Sequence, residues 1–425
     1  MTAPRHTRLR AALSIPPLSA GRWGAGLVLV AAVVAVRWLF TAGPTDVVSS
    51  ALTPWPLFVP PFLVLGAAAV LMGAFPSLSP QRLTAILTVG AAALLLVIPH
   101  RILSAAATYS PFDDGAAYLV QAQFMSEHRT LMAGQPMFET QPGYPYALLP
   151  LLALPGFPNR LHQLVLAMVL VIGIAAGTQA LRPGPGSESH AFRRLLVAFP
   201  LLTLPYFIKN LYLNLSEWLV FLLLVAGLVL WRRGWIVVCA VCLAAIAVLR
   251  QNLLLASLLL LATVAVDAWH RGRRDAALVG SVLWLFIVMT PALHNFYYGG
   301  TFSLLARGRT LTVISDWTWR PMARLGETAL KYVGYSSTTS VQGLLFAIPS
   351  VPAGTVLLAL AARRMVGQSW MRGALFIAIV GSVIVPTALM GLAYYPRFEL
   401  VNLAVAWAGY VFVRSATLPS LAKTL

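Results

Sequence analysis

From Glu217 the chain continues Trp-Leu-Val-Phe-Leu-Leu-Leu-Val-Ala-Gly-Leu-Val-Leu-Trp-Arg-Arg-Gly-Trp-Ile-Val-Val-Cys-Ala-Val-Cys-Leu-Ala-Ala-Ile-Ala-Val-Leu-Arg-Gln, ending at Gln251. Two apolar runs, 217–231 and 235–249, are separated by Arg232, Arg233 and Gly234 and bounded by Glu217 and Arg250. Each run approaches the roughly 20 residues a helix needs to cross a bilayer. All the charge sits at the ends. This is a hairpin of membrane helices rather than a piece of a soluble core.

The same pattern recurs at about 23–41, 56–75, 83–99, 162–181, 195–208, 252–269, 276–295, 341–361, 373–394 and 400–414. Of 425 residues, 59% are hydrophobic and 10% charged, whereas about a quarter of a soluble domain is charged. The mean hydropathy is +0.81. A soluble enzyme, a disordered chain, collagen and a disulfide scaffold are excluded as readings of the whole chain. The expected fold is all-α: a polytopic transmembrane bundle of about twelve spans, one transmembrane domain over 1–425, with interfacial helices in an extracytoplasmic loop.

The net charge of +18 is no sign of nucleic-acid binding. The basic residues lie in short clusters between apolar runs, the pattern of cytoplasmic loops. They are 27 Arg and 3 Lys, beside much Ala, Gly and Leu. That bias points to a GC-rich bacterial genome and hence a bacterial plasma membrane. Arg5, Arg8, Arg10 and Arg22 precede the first run with no small-residue cleavage site after it, so the run reads as a retained signal-anchor. Cys239 and Cys242 lie inside an apolar run and read as packing residues.

With the N-terminus in the cytoplasm, alternation puts Arg82, Arg182, Arg232, Arg233, Arg271, Arg273, Arg274, Arg363, Arg364 and Arg414 inside. Every inner loop then carries a basic residue, and both termini are cytoplasmic. Most carboxylates fall on the outer side, among them Asp113, Asp114, Glu127, Glu139, Glu217 and Glu399. The two longest loops, 100–161 and 296–340, are also outside. Long loops in compact proteins are usually functional or disordered, and these are rich in aromatics. The chemistry is therefore expected on the outer face.

The first of these loops holds an adjacent acidic pair, Asp113 and Asp114. Gly115–Arg129 suits a helix in the interface plane, with Ala117, Val120, Phe124 and Met125 on one side. A tight segment at 141–146, Gln-Pro-Gly-Tyr-Pro-Tyr, leads to a second apolar stretch, Ala147–Leu154. Asp113 is explained as an ordinary N-cap. The second carboxylate is not: two like charges side by side repel, which raises one pKa. A carboxylate with a raised pKa suits a general base.

Other polar groups fall at the same outer edge. They are Lys209, Asn210, Asn214 and Glu217; Arg250 and Gln251; His294 and Asn295; and Arg397 with Glu399. Ionisable groups at this depth are functional candidates, and Arg or Lys there suits a lipid phosphate. The 296–340 loop, with Arg307, Arg309, Trp317, Trp319, Arg320 and Arg324, suits an anionic glycan or lipid headgroups.

The chain resembles the GT-C superfamily of integral-membrane glycosyltransferases, in particular bacterial mannosyl- and arabinosyltransferases that use polyprenyl-phosphate sugars. The resemblance rests on Phe112-Asp-Asp-Gly-Ala-Ala-Tyr118, Gln141-Pro-Gly-Tyr-Pro-Tyr146, Asn214-Leu-Ser-Glu217, Leu249-Arg-Gln251, Pro291-Ala-Leu-His-Asn-Phe-Tyr-Tyr-Gly299 and Tyr395-Pro-Arg-Phe398. It implies transfer of a sugar from a polyprenyl-phosphate donor to a hydroxyl of a glycan, lipid or protein. Asp113 or Asp114 would be the general base, and attack would invert the anomeric centre. Arg397, Arg250, His294 and Lys331 would bind the donor phosphate. Tyr118, Gln141, Tyr144, Glu217 and Asn295 would contact substrate. No cofactor or metal is required, though adjacent carboxylates such as Asp113 and Asp114 can take a divalent cation. The partners are the lipid donor, the acceptor and membrane lipids, with no nucleic acid. The acidic pair sits in the second outer loop here, where the family usually has it in the first. No soluble domain follows the last run.

Two other readings are compatible with an extracytoplasmic polytopic protein. A flippase or transporter of a lipid-linked substrate needs ionisable groups near the bilayer midplane, where only Arg37 is found. An O-antigen-type polymerase or ligase relies on outer Arg and His without an acidic base.

Overall fold

The computed structural model describes residues 114–131, 143–157, 160–180, 214–300, 350–389 and 396–418, with Phe302 and single positions between 85 and 211. Contacts divide the chain into two compact units, Met1–Ser79 and Pro80–Leu425; all described residues belong to the second. Among them every regular element is helical and none is a strand. The helices are α1 Asp114–His128, α2 Gly143–Leu152, α3 Arg160–Ala180, α4 Glu217–Arg232, α5 Ile236–Leu249, α6 Leu254–His270, α7 Arg274–Gly299, α8 Ser350–Gln368, α9 Trp370–Leu389 and α10 Pro396–Ser415. Seven of the expected apolar runs, from 162–181 onward except 195–208 and 341–361, coincide with α3–α7, α9 and α10; the run 341–361 overlaps α8 only from Ser350. The runs at 23–41 and 56–75 lie outside the described residues, and those at 83–99 and 195–208 are described only at single positions.

Glycine turns reverse the chain at one end of the bundle. Gly234 has φ 80°; its N–H reaches the Trp231 carbonyl at 2.9 Å, and Trp235 N reaches Leu230 at 2.8 Å. Gly272, with φ 76°, repeats the arrangement with Trp269 and Ala268. Both are the left-handed helix stop that glycine adopts without a Cβ penalty. At the other end α5 passes into α6 through an extended Arg250 and the 3-10 turn Gln251–Leu253.

The bundle is therefore an up-and-down succession from α4 to α7. Glu217, Arg250 and His294 share one end, and Trp231, Gly234, Asp267 and Gly272 share the other. α5 packs against α4, α6 and α7. One face of it is closely enclosed: Cys239, Ala240, Leu243, Ala244, Ile246 and Ala247 are each at most 3% exposed. The cysteines are buried packing residues. α3 lies alongside α4 and parallel to it, with Gly173 against Leu222 and Gly177 against Val225 and Val229. Small residues at such crossings let backbones approach closely.

Polar side chains stitch the apolar helices together. Trp284 Nε1 donates to Ser257 Oγ at 2.9 Å, and Ser257 Oγ donates to the Leu243 carbonyl at 2.6 Å, joining α7, α6 and α5. Pro291 inside α7 has no N–H for the Ile287 carbonyl. Thr290 Oγ1 supplies a hydrogen bond to that carbonyl at 2.7 Å.

The end opposite Arg250 is closed by charge. Asp267, 1% exposed, accepts from Trp231 Nε1 at 2.9 Å, from Arg271 Nε at 3.0 Å and from the backbone N–H of Thr417 at 2.7 Å. Arg372 donates to the carbonyls of Val413, Arg414 and Ala416 at 2.6–3.0 Å. These are the orphan carbonyls of the α10 C-terminus. Arg232 donates to Ser415 Oγ at 3.0 Å.

Three described helical stretches are long and apolar enough to cross a membrane: Leu161–Thr178, Gln251–His270 and Arg274–Gly299. Their outward faces are apolar. α3 exposes Leu161, Val165, Val169 and Ile172, and α7 exposes Leu278, Val282, Leu285 and Phe286. Such contiguous apolar surface on a hydrogen-bonded helix suits lipid.

Replacing Asp267 with Ala leaves the Trp231 indole and the Thr417 amide without their acceptor. The expected loss is about 3 kcal/mol of stability, with Asp267→Asn losing less. Reversible unfolding of both variants in mixed micelles checks this.

Candidate functional site

Four segments meet at the end of the bundle that carries Arg250: the start of α1, the Gly143–Leu152 helix, the start of α4, and the last turns of α7.

α1 begins at Asp114, close to the expected start. Tyr118, Leu119, Gln121, Ala122 and Met125 are buried, while Ala117 is exposed and Val120 is 63% exposed. Met125 packs with Tyr146 and Leu149 of α2.

α2 departs from expectation. The segment Gly143-Tyr-Pro-Tyr146 forms the first turn of the helix and not a loop before it. Pro145 fits there, because N–H groups in a first helical turn have no intrahelical partner to lose. Gly143 lets this turn press onto α5: a Cβ there would stand 2.6 Å from the Val248 carbonyl oxygen. Tyr144 is buried, 1% exposed.

A chain of hydrogen bonds runs through Tyr144. Trp218 Nε1 donates to its hydroxyl at 3.0 Å, and the hydroxyl donates to Asn214 Oδ1 at 3.2 Å. Asn214 Nδ2 then donates to the Gly115 carbonyl at 3.0 Å. Tyr118 meets the Tyr144 ring edge-on at 5.4 Å. The start of α1 is thus tied to α2 and to the start of α4.

Beside Trp218, the Glu217 carboxylate accepts from Arg250 Nη1 at 2.6 Å, with both side chains 1% exposed. Glu217 lies in the first turn of α4, where the helix dipole favours a carboxylate. Arg250 leaves the helical conformation, with φ −142° and ψ 100°, as the chain passes from α5 to the 3-10 turn. The resemblance gave Arg250 to a donor phosphate; in the structure its Nη1 donates to Glu217.

On α7, His294 Nδ1 lies 2.5 Å from the Tyr146 hydroxyl, which also donates to the Leu131 carbonyl at 3.1 Å. A carbonyl only accepts, and a phenol has one proton. Both bonds are satisfied when Tyr146 donates to Leu131 and His294 Nδ1–H donates to Tyr146. Burial, with Tyr298 adding to it, pushes the Tyr146 phenol well above its ordinary value, so it stays protonated across the physiological range. Asn295 is fully buried beside His294.

A small cleft lies between α2, α3 and α4, lined by Tyr144, Leu148, Gln163, Leu166, Asn214 and Trp218 among others. Its interior is about 10 Å³ measured at water centres, room for roughly one water.

Of the expected site residues, Tyr118, Tyr144, Glu217, Arg250, His294 and Asn295 are buried at or near this one end. Asp113, Gln141 and Lys331 lie outside the described residues. For Asp114 and Arg397 only the backbone is described: Asp114 opens α1, and Arg397 lies in the first turn of α10. The C-terminus of α10 is held at the Asp267 end, and 20 residues of helix rise about 30 Å. Arg397 therefore belongs to the Arg250 end. Sequence reasoning did not single out Tyr146, Trp218 or Gln163. Tyr146 ends the quoted 141–146 motif and Trp218 follows the quoted Glu217, but nothing in the local pattern marks their partners. Among the described residues no three His, Cys, Asp or Glu side chains gather as a metal site would.

Comparisons with protein-family models, with curated proteins and with solved structures give no match to this chain.

Glu217→Gln or Arg250→Met alone strands a buried partner, at an expected cost of about 3–5 kcal/mol. The double replacement Glu217→Met with Arg250→Met removes both charges and should recover most of that loss. A double-mutant cycle on unfolding free energy checks the coupling.

Proposed function

We propose that the protein is an extracytoplasmic glycosyltransferase of GT-C-like architecture. In this reading it lies in a bacterial plasma membrane with about twelve spans and both termini in the cytoplasm. The donor is a polyprenyl-phosphate sugar, and the acceptor is a hydroxyl of an envelope glycan, lipid or protein. The observation that carries the reading is the buried tie from Gly115, next to the acidic pair, through Asn214 and Tyr144 to Trp218. It brings the acidic segment to the bundle end that carries Glu217–Arg250 and Tyr146–His294.

The chemistry follows from the residue types. Asp113 or Asp114 takes the proton of the acceptor hydroxyl as that oxygen attacks the anomeric carbon. The bond to the phosphate oxygen breaks, and the polyprenyl phosphate leaves. Charge gathering on that oxygen is met by Arg397 and Lys331, and by His294 in its protonated form. Arg250, engaged by Glu217, orders the floor of the site. Tyr118, Gln141, Tyr144 and Asn295 shape the pocket around the sugar. No metal is needed, because a monophosphate leaving group can be stabilised by cationic side chains.

The buried Glu217–Arg250 pair favours a second reading, a transporter of a lipid-linked substrate, because ionisable groups inside a bundle often mark a pathway. Purified protein in lipid, offered a panel of polyprenyl-phosphate sugars, separates the two. A glycosyltransferase releases or transfers sugar, and either Asp113→Asn or Asp114→Asn lowers the rate by about 10²–10⁴. Full activity in both variants contradicts the base assignment. Movement of the same lipids across the bilayer without turnover supports the transporter.

A further inference from the structure

We infer that Asn214 is a positioning residue for the acidic pair, holding the start of α1 through the Gly115 carbonyl. This rests on the reading of Asp113 or Asp114 as the general base.

The argument begins with the backbone. Asn214 has φ 52°, a left-handed conformation that costs a residue with a Cβ and suits glycine. It closes the helical turn before it: Asn214 N bonds the Leu211 carbonyl at 3.0 Å, and Leu215 N bonds the Asn210 carbonyl at 2.8 Å. This is the same helix stop that Gly234 and Gly272 make. Those two positions hold glycine, and a Cβ at Gly272 would meet nothing within 4 Å. At 214 the turn carries a side chain, and that side chain is 6% exposed.

The side chain is used on both its polar atoms. Oδ1 accepts from Tyr144 at 3.2 Å, and Nδ2 donates to Gly115 at 3.0 Å, across 99 residues of sequence. A carboxamide is the group that can do both at once, since a carboxylate only accepts. Asparagine also tolerates the left-handed region better than other non-glycine residues. The residue type therefore meets two demands, a helix stop and a donor to the Gly115 carbonyl. Gly115 directly follows Asp113 and Asp114. A bond to its carbonyl holds the α1 backbone one residue after Asp114, and small misplacements of a general base lower its rate steeply.

Asn214→Gly separates this role from folding. Glycine makes the same turn without strain, so the fold is retained, while both side-chain bonds are lost. Two measurements on the full-length protein in lipid nanodiscs test the inference. The first is hydrogen exchange. The amides of 115–121 should exchange at least about tenfold faster in Asn214→Gly, with those of α5 unchanged. Unaltered exchange at 115–121 overturns the inference whether or not turnover is measured. The second is kinetic, using release of sugar from the polyprenyl-phosphate sugars that the wild-type protein turns over. The turnover number should fall about ten- to hundredfold with little change in KM. Asn214→Asp, which keeps the acceptor for Tyr144 but loses the donor to Gly115, should share the defect. A wild-type turnover number in Asn214→Gly overturns the positioning role. If Asp113→Asn and Asp114→Asn both stay active while Asn214→Gly is slow, the base assignment has failed and the inference falls with it.

Discussion

A buried amide engaged on both sides is the joint on which this end of the bundle depends. Asn214 closes one helix, receives Tyr144 and holds Gly115. In an apolar bundle such a group has little water to fall back on, so its partners are held by the cost of leaving them unpaired. Helix α1 does not rest on hydrophobic contact alone. Val120 and Ala117 are exposed, and its start is held by a hydrogen bond from Asn214, 99 residues along the chain.

The two ends of the bundle solve the same problem with different chemistry. Around Asp267, carboxylate, indole, guanidinium and backbone groups bond to one another and to the carbonyls that α10 leaves open. That end is a closed structural clasp. The Arg250 end combines one tight ion pair with tyrosines, a histidine, a tryptophan and amides, and it adjoins the acidic segment. Aromatic hydroxyls and amides can both donate and accept, which suits uncharged, hydroxyl-rich ligands.

Much of the architecture was legible in the sequence. The run 217–231 became Glu217–Arg232 and 235–249 became Ile236–Leu249, because arginines and a glycine mark the turns of a hairpin whose interior is uniformly apolar. The shared end of Glu217, Arg250 and His294 follows from the same alternation. The inward face of α1 was not legible, since lipid and protein interior are equally apolar and the moment of the helix carries no direction. The ion pair of Arg250 was not foreseen either. It depends on Arg250 leaving the helix at the α5–α6 junction, a backbone feature set by packing. Tyr146 was given no role because its partners, Leu131 and His294, lie 15 and 148 residues away and nothing local marks them.

The central claim is that the acidic segment and its polar surroundings face the outside of the membrane, opposite the Asp267 clasp. Ser126 on α1 and His270 at the end of α6 are both exposed, and Cys239 and Cys242 are buried. Single Ser126→Cys and His270→Cys variants, treated with a membrane-impermeant maleimide in intact cells, test it directly. The account predicts labelling at 126 in intact cells and at 270 only after the membrane is opened. Labelling at 270 in intact cells, with 126 protected until lysis, would contradict it.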